Sequence, residues 1–302
     1  MNVLLWGLGQ DGPLAAVRRA LRRAGVDPLM IDQRRADQAS IELTTAATVT
    51  GTLHLPGRAV RLEDIDSAYL RPYDTRRLHG ENVAPDARRA HAMALAEALT
   101  AWAGVTSALV VNRPAAMASN ESKPYQLALI RAAGFAVPPT LVTTDAGAVL
   151  EFRERYGRLI YKSASGIRSR VTRLSAERAE SLGDVAWCPT QLQQQIDGVD
   201  HRVHVVGDAV FASRIESNAD DYRYAQAPPT IVSTALPPEF ERRCVGLAAA
   251  LELPLAGIDL RLTADGEWFC FEVNPSPAFT YYEAATGQPI AAAIARLLTG
   301  SR

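Results

Sequence analysis

Residues 257–275 read GIDLRLTADGEWFCFEVNP, two apolar runs joined by an Asp-Gly turn. This pattern predicts a β-hairpin, because Asp-Gly between alternating apolar residues favours a tight turn. Oxygen-bearing side chains interrupt the runs at Asp259, Glu272 and Asn274. Glu272 and Asn274 are two residues apart and share a face, and pairing across the hairpin brings Asp259 to the same face.

Two carboxylates and one amide oxygen form a donor set for a hard cation such as Mg²⁺ that is shared with phosphates. Carboxylates on a half-buried sheet are costly unless they are compensated, and a metal ion would compensate them. The alternative is a solvated strand face that binds nothing.

The rest of the chain predicts an α/β (α+β) protein. Strands at 2–6, 27–32, 67–70 and 108–112 alternate with helices at 13–24 and 85–103, which indicates a small doubly wound sheet. After residue 189 the pattern changes to antiparallel strands, at 191–196, 200–206, 209–216, 256–263 and 268–274. A helix at 238–251 is expected to cover this second sheet, and 290–298 forms a last helix.

Only two of the 32 basic residues are lysines, Lys123 and Lys162. Arginine does not replace lysine where a compact point charge must contact a phosphate. Lys123 begins an apolar helical run, and Lys162 ends a strand before the Gly-, Ser- and Arg-rich segment 163–170. Either the two lysines bind phosphate, or they are surface residues that escaped replacement by arginine.

Asp200 and Arg202 begin a predicted strand and share one of its faces. Arg214 and Arg223 follow in the same region. Arginines that converge near a carboxylate-bound cation would balance a substrate carboxylate or a developing acyl phosphate. Any one of them alone is more often part of a surface ion pair.

The turn Gly7-Leu8-Gly9-Gln10-Asp11-Gly12 follows the first strand and matches the dinucleotide fingerprint, with Asp32 about twenty residues further on. Asp11 opposes this interpretation, because its carboxylate would face a pyrophosphate at a helix N-terminus that favours an anionic ligand. An NAD(P)-dependent dehydrogenase therefore stays a distant alternative.

Composition narrows the class of protein. The chain has 302 residues, 48% of them hydrophobic and 22% charged, which suits a globular protein of two or three units. Its net charge of −1 gives no signal for nucleic acid or an anionic membrane. Cys188, Cys244 and Cys270 lack metal-ligand spacing and are expected to be buried thiols. We find no signal peptide or membrane-spanning run and expect a cytoplasmic protein.

Short motifs along the chain, in this order, resemble those of one family: Asn112-Arg113-Pro114, Ser122-Lys123-Pro124, Pro138-Pro139-Thr140, Ile160-Tyr161-Lys162, Asp200-His201-Arg202, Asp259 and Glu272-Val273-Asn274-Pro275. The family is the ATP-grasp ligases, in the branch of ribosomal-protein glutamate ligases, glutathione synthetases and microviridin-type (graspetide) peptide ligases. The resemblance covers roughly residues 105–298, and Tyr69-Leu70-Arg71-Pro72 extends it weakly to the front. It implies an N-terminal doubly wound domain at 1–113, a lid subdomain at 114–188 and a C-terminal subdomain at 189–302.

The resemblance also implies residue roles. The residues that would contact ATP are Lys123, Lys162, Gln193, Gln194, Gln195, Ile196 and Asp200. Catalysis would use Lys162, Arg202 and Arg223. Two Mg²⁺ ions, with Mn²⁺ as a substitute, would bind Asp259, Glu272 and Asn274. The two lysines would hold the phosphates, and residues 163–170 resemble the mobile loop over the triphosphate. Residues 193–196 resemble the hinge strand that reads adenine through its backbone, with Gln194 where many relatives have glutamate.

The implied activity is that of an ADP-forming ligase. A substrate carboxylate would attack the γ-phosphoryl group of ATP, and an amine or hydroxyl would then displace phosphate from the acyl phosphate, forming an amide or ester. The favoured substrate is a ribosomally made precursor peptide. A small amino-acid or dipeptide ligase of the same superfamily stays open as the alternative, and a homodimer is compatible with either.

Overall fold

The computed structural model describes residues 1–46, 48–78, 87–163, 172–175, 182–216 and 229–301, with the backbone alone at 120, 121, 162 and 163. In this part of the chain the strands are β1 (Asn2–Gly7), β2 (Leu29–Asp32), β3 (Ser40–Thr45), β4 (Val49–Leu55), β5 (Arg58–Arg61), β6 (Ile65–Arg71), β7 (Leu109–Val111), β8 (Thr140–Thr143), β9 (Leu159–Ser163), β10 (Thr172–Arg173), β11 (Thr190–Gln194), β12 (Val199–Val206), β13 (Ala209–Glu216), β14 (Thr230–Thr234), β15 (Leu255–Leu262) and β16 (Trp268–Asn274). The α-helices are α1 (Gly12–Arg23), α2 (Thr75–Leu78), α3 (Ala87–Val105), α4 (Pro114–Met117), α5 (Lys123–Ala132), α6 (Ala146–Tyr156), α7 (Pro238–Ala250), α8 (Thr280–Thr286) and α9 (Ile290–Thr299).

The front of the chain forms the predicted doubly wound sheet. Its four strands are parallel in the order β2-β1-β6-β7. Leu4 and Trp6 of β1 pack in one core cluster with Trp102 of α3, and Leu5 packs in another with Ile294 of α9. Because helices cover both faces of the sheet, β1 is apolar from residue 3 to residue 6, with polar Asn2 only at its start.

A second, three-stranded antiparallel sheet, β3-β4-β5, lies between β2 and β6 in sequence. No strands were predicted there from the sequence. The side chains of β3 are all at least partly exposed, and Leu53 is the only buried residue of β4. The apolar alternation that reveals a half-buried strand is therefore weak in this segment.

The central unit is built on an antiparallel sheet in the order β10-β9-β11-β8, with α6 packed against it. Its small core contains Val149, Leu159 and Leu192. Strand β11 pairs with both β8 and β9. Residues 191–196 were expected in the C-terminal sheet, and this placement was wrong, because β11 belongs to the central sheet. The subdomain boundary expected between residues 188 and 189 therefore lies just before a strand of the central sheet.

The C-terminal unit is a five-stranded antiparallel sheet, β14-β13-β12-β15-β16. One face packs against α5 and α7, through a core that includes Val203, Ile258 and Val273. On the other face, Val206 and Leu255 pack in the same core cluster as α1 and α9. The middle of this second face carries the polar residues described below.

The three cysteines are free thiols. Cys244 and Cys270 are buried in the core between α7 and the C-terminal sheet. Burial raises the pKa of Cys244 to about 12 and raises that of Cys270 as well. Cys188 is exposed, so the expectation of three buried thiols was wrong for this residue. No helix in the described ranges is long and apolar enough to cross a membrane.

Candidate active site

Four charged side chains form a row across the C-terminal sheet in the order cation, anion, anion, cation. Arg202 of β12 lies opposite Asp259 of β15, which lies opposite Glu272 of β16. Arg202 Nη1 donates to Asp259 Oδ1 at 2.5 Å, and Nζ of Lys123, at the start of α5, donates to Glu272 Oε1 at 2.5 Å. The two carboxylates face each other, an arrangement that is unfavourable without compensation, and a cation flanks each of them.

A β-bulge brings the two acids together. The pairing of β15 with β16 shifts between Asp259 and Leu260, so that Leu260 pairs with Cys270 while Asp259 pairs with Glu272. Phe271 is the extra residue. Cys270 and Val273 both stay in the core, and Glu272 lies on the site face; strict alternation from Cys270 would turn Glu272 toward the core.

Lys123 is held in place by a buried glutamine one turn further along α5. Gln126 is 1% exposed; its Nε2 donates to the carbonyl of Val273 at 2.8 Å, and the Val273 N–H donates to its Oε1 at 3.0 Å. Residues three apart share a helix face. The amide clamp thus fixes the first turn of α5 beside Glu272. Gln126 was not predicted, although a polar residue on an otherwise apolar helix face was a usable signal.

Arg202 lies flat across the neighbouring strand because residue 257 is glycine. A Cβ atom on Gly257 would overlap the guanidinium of Arg202 and would come within 2.7 Å of Cβ of Pro277. Tyr282 of α8 covers Arg202 from another side, with its ring centre 5.9 Å from Cζ. The side chain of Arg202 is only 8% exposed. The role of Gly257 was not predicted from the sequence, because it depends on a neighbouring strand.

His204 lies on the same face, two residues beyond Arg202, and is fully buried against the ring of Tyr282. Burial, with a smaller contribution from the Arg202 charge, lowers the pKa of His204 well below its usual value. Neither of its ring nitrogens has a hydrogen-bond partner among the described residues. The imidazole is therefore neutral near pH 7 and adds no second positive charge beside Arg202.

Asp200 pairs with an arginine of the next strand. Nε of Arg261 donates to Asp200 Oδ1 at 2.7 Å, and Nη1 of Arg261 donates to the carbonyl of Ile196 at 2.7 Å. The pair therefore connects the segment after β11 to the C-terminal sheet. The pair of Asp200 and Arg261 lies beside the charged row, on the same face of the sheet. A contact between Asp200 and the ribose stays a prediction.

The segment predicted to bind adenine, residues 193–196, runs from the end of β11 to Ile196, whose carbonyl accepts from Arg261. The N–H groups of Gln194 and Gln195 donate to the carbonyls of Pro139 and Arg158 at 2.9 and 2.8 Å. Gln193 Nε2 donates to the hydroxyl of Thr140 at 3.0 Å. These bonds fix the segment in its sheet, and adenine recognition by residues 193–196 stays a prediction.

Arg214 does not join the charged row. It pairs with His201 across β12 and β13, so both side chains lie on the face of the sheet that packs against α7. There Arg214 forms a largely exposed ion pair with Glu216. The expectation that Arg214 converges with Arg202 was wrong, because it lies one residue out of phase.

Three predicted features lie wholly or partly outside the described residues: Arg223, the side chain of Lys162 and the segment 164–170. The backbone of Lys162 belongs to β9 and pairs with Gln191. Their predicted roles stay predictions.

The glycine turn that matches the dinucleotide fingerprint is closely packed against other residues of the same chain. Asp11 caps α1 by accepting from the N–H of Leu14 at 3.0 Å, and it also accepts from Arg71 Nε at 2.7 Å. A Cβ on Gly9 would lie 2.6 Å from the carboxylate of Asp32, the residue that the fingerprint assigns to a ribose. Close packing within the chain therefore accounts for the motif.

The predicted metal ligands are together. Asp259 and Glu272 are paired, and Asn274 lies two residues further along the same face. No group of three or more His, Cys, Asp or Glu in the described ranges is arranged to hold a metal by itself. Two carboxylates and one amide fit Mg²⁺, which usually binds few protein ligands together with phosphate oxygens and water.

Replacing Gly257 by alanine is expected to lower activity at this site strongly. The added methyl group would displace Arg202 from Asp259, and loss of one aligned charge donor costs about 10²–10³ in rate. The overpacking would also destabilise the fold by about 1–3 kcal/mol. The measurements are ADP formation from ATP, the activity that the family resemblance implies, and thermal unfolding.

Gly246→Ala is the matched control for this prediction. Gly246 lies in α7, where a Cβ would meet nothing within 4 Å. Alanine there should leave ADP formation unchanged and stabilise the helix by about 0.5–1 kcal/mol. Equal activity of the two alanine variants would contradict the role assigned to Gly257.

Comparisons with known proteins point to one family. The model of the RimK-like ATP-grasp domain matches residues 162–298. A probable alpha-L-glutamate ligase of Cellvibrio japonicus is 36% identical over 104 residues, which is 33% of this chain and 34% of that relative. A Vibrio cholerae protein of the same name is 32% identical over 107 residues, 35% of each. The chain thus matches about a third of the length of these curated relatives.

Solved structures match the whole chain. The ATP-grasp ligase PsnB, complexed with a minimal precursor, Mg and ADP, is 27% identical and aligns over 99% of this chain and 96% of its own, with a TM-score of 0.80. The macrocyclase MdnC of Microcystis aeruginosa, bound with its precursor peptide MdnA, aligns over 100% of both chains with a TM-score of 0.84. At 20% identity, the likeness to MdnC concerns the fold.

Proposed function

The chain belongs to the ATP-grasp superfamily, and on that premise we propose that it is an ADP-forming ligase that modifies a ribosomally made precursor peptide. The observation that carries the proposal is the charged row of Arg202, Asp259, Glu272 and Lys123. A superfamily fold alone says little about activity, because function depends on the site. A carboxylate that becomes phosphorylated needs a metal ion and positive charge beside it. In this row the two acids would bind the metal and the two cations would supply the positive charge.

The proposed reaction has two steps. A carboxylate oxygen of the peptide attacks the γ-phosphorus of ATP, the bond to the bridging oxygen breaks, and ADP leaves with the electron pair. An amine or hydroxyl of the same peptide then attacks the acyl carbon, loses a proton to solvent and expels inorganic phosphate. An amide or an ester results.

The residues of the site supply position and charge. Asp259, Glu272 and Asn274 would hold two Mg²⁺ ions, with Mn²⁺ as a substitute, and the metal would neutralise phosphate charge. Arg202, held over Gly257, would donate to the acyl phosphate as its charge develops. Lys123 and Lys162 would bind the ATP phosphates, as would Arg223 if it faces phosphate rather than the peptide.

The match to PsnB supports a peptide substrate, since that protein was solved with a minimal precursor, Mg and ADP, and the alignment covers nearly all of both chains. The relatives named alpha-L-glutamate ligase favour the alternative, a ligase for a free amino acid. Their match covers only a third of the chain, so we rank the peptide first.

The test uses the purified full chain with ATP, Mg²⁺ and synthetic peptides encoded by short reading frames beside the gene. We expect ADP release that depends on one such peptide, together with the loss of one water mass from the peptide per bond formed. ADP release with free L-glutamate but with no peptide would favour the alternative. Thermal stabilisation by NAD(P) and none by ATP would overturn both.

A further inference from the structure

We propose that Arg71 is a positioning residue for Asn274, through a latch that joins the first domain to the loop after β16. The latch consists of Asp11, Arg71 and Ser276. This inference rests on the proposed function, in which Asn274 is a metal ligand. It gives the glycine turn at residues 7–12 a role that is not nucleotide binding.

The guanidinium of Arg71 connects two parts of the chain that are about 200 residues apart. Its Nε donates to Asp11 Oδ2 at 2.7 Å, and its Nη1 donates to Ser276 Oγ at 2.9 Å and to the carbonyl of Pro277 at 3.1 Å. The side chain of Arg71 is only 11% exposed. A planar fork with donors on two sides suits this geometry, which a lysine cannot reproduce.

Ser276 passes the constraint on to the site. Its N–H donates to Asn274 Oδ1 at 2.8 Å, so the residue held by Arg71 also orients the amide of Asn274. Outer partners of metal ligands fix the direction of their lone pairs, and losing such a partner typically costs about 10- to 100-fold in metal affinity. The same loop places Pro277 against Arg202, across Gly257.

The glycines of the turn allow this approach. A Cβ on Gly7 would lie 2.6 Å from the carbonyl oxygen of Arg71, and one on Gly12 would lie 3.2 Å from the hydroxyl of Thr280 in α8. The turn is therefore pressed against β6 on one side and against the helix that follows the loop on the other. Asp11, between these glycines, is fixed both by the cap it provides to α1 and by Arg71.

The experiment compares wild type with Arg71→Lys, which keeps the charge and removes the fork. Hydrogen–deuterium exchange of the peptide covering residues 273–279 should be faster in the variant by about 10-fold or more, since opening of the loop no longer requires breaking the latch. In ADP-forming assays the Mg²⁺ concentration at half-saturation should rise by about 10- to 100-fold. The KM for the peptide should change little.

Ser276→Ala is the companion variant, because it removes only one acceptor of the latch and should fold even if Arg71→Lys does not. Its effect on the Mg²⁺ concentration at half-saturation should have the same direction. The double variant should need no more Mg²⁺ than the more affected single variant, as expected for two residues that act through the same series of contacts. Arg22→Lys is the control, since Arg22 makes an exposed pair with Asp27.

The outcomes separate this inference from the proposed function. If wild type forms no ADP with any peptide, the proposed function fails, while the exchange measurement still tests the latch. Unchanged exchange at 273–279 in Arg71→Lys and in Ser276→Ala would overturn the latch. Faster exchange with an unchanged Mg²⁺ requirement would overturn the positioning of Asn274.

Discussion

Glu272→Gln is expected to reduce ADP formation to the background level, a loss of at least about 10²–10³ in kcat. Glu272 is the acid between Asp259 and Lys123, and in the proposed reaction it holds Mg²⁺ on the phosphates. A glutamine keeps the shape but supplies a neutral oxygen and an amide donor that would face the metal. Lys123 would also lose its anionic partner and reorient.

The measurement is ADP release at saturating ATP, repeated over a wide range of Mg²⁺ concentrations. The side chains of Lys123 and Glu272 are 19% and 28% exposed, so the variant should unfold near the wild-type temperature. Glu267→Gln is the matched control, because it is the same change at an exposed position of the same hairpin. Wild-type turnover by Glu272→Gln would contradict the assigned metal site and the mechanism.

Lys123→Arg is expected to impair ATP use although it keeps the positive charge. The Nζ of Lys123 fits against Glu272 at 2.5 Å, in a first helical turn that the buried Gln126 clamps to β16. A guanidinium is larger and planar, and it would shift the bound charge by about an ångström, a displacement that can cost about 10²-fold in rate. The KM for ATP should rise as kcat falls.

Steady-state kinetics with varied ATP test this second expectation. The control is Arg131→Lys, an exposed residue of the same helix, which should leave both parameters unchanged. Lys162→Arg, at the other lysine, is expected to act in the same direction. An unchanged KM for ATP in Lys123→Arg would mean that the scarcity of lysine in this chain carries no information about phosphate binding.

Much of the fold could be predicted because its signals are local. The parallel sheet follows from short apolar strands that alternate with helices, and the hairpin from Asp265-Gly266 between two alternating runs. The shared face of Glu272 and Asn274 follows from the period of two along a strand. The sheet β3-β4-β5 and the sheet to which β11 belongs could not be predicted in this way. Strands that are mostly exposed, or buried on both faces, lack the alternation of apolar and polar residues that marks a half-buried strand.

The sequence by itself determined which chemical groups are available: two lysines, an acid on each strand of one hairpin, and the arginine two residues after Asp200. Only the tertiary structure decided which of them meet. A bulge at Phe271 sets the phase that turns Glu272 toward Asp259, and a one-residue difference in phase turns Arg214 away from Arg202. Strand pairing and domain contacts join residues far apart in sequence, and no local pattern records such distances.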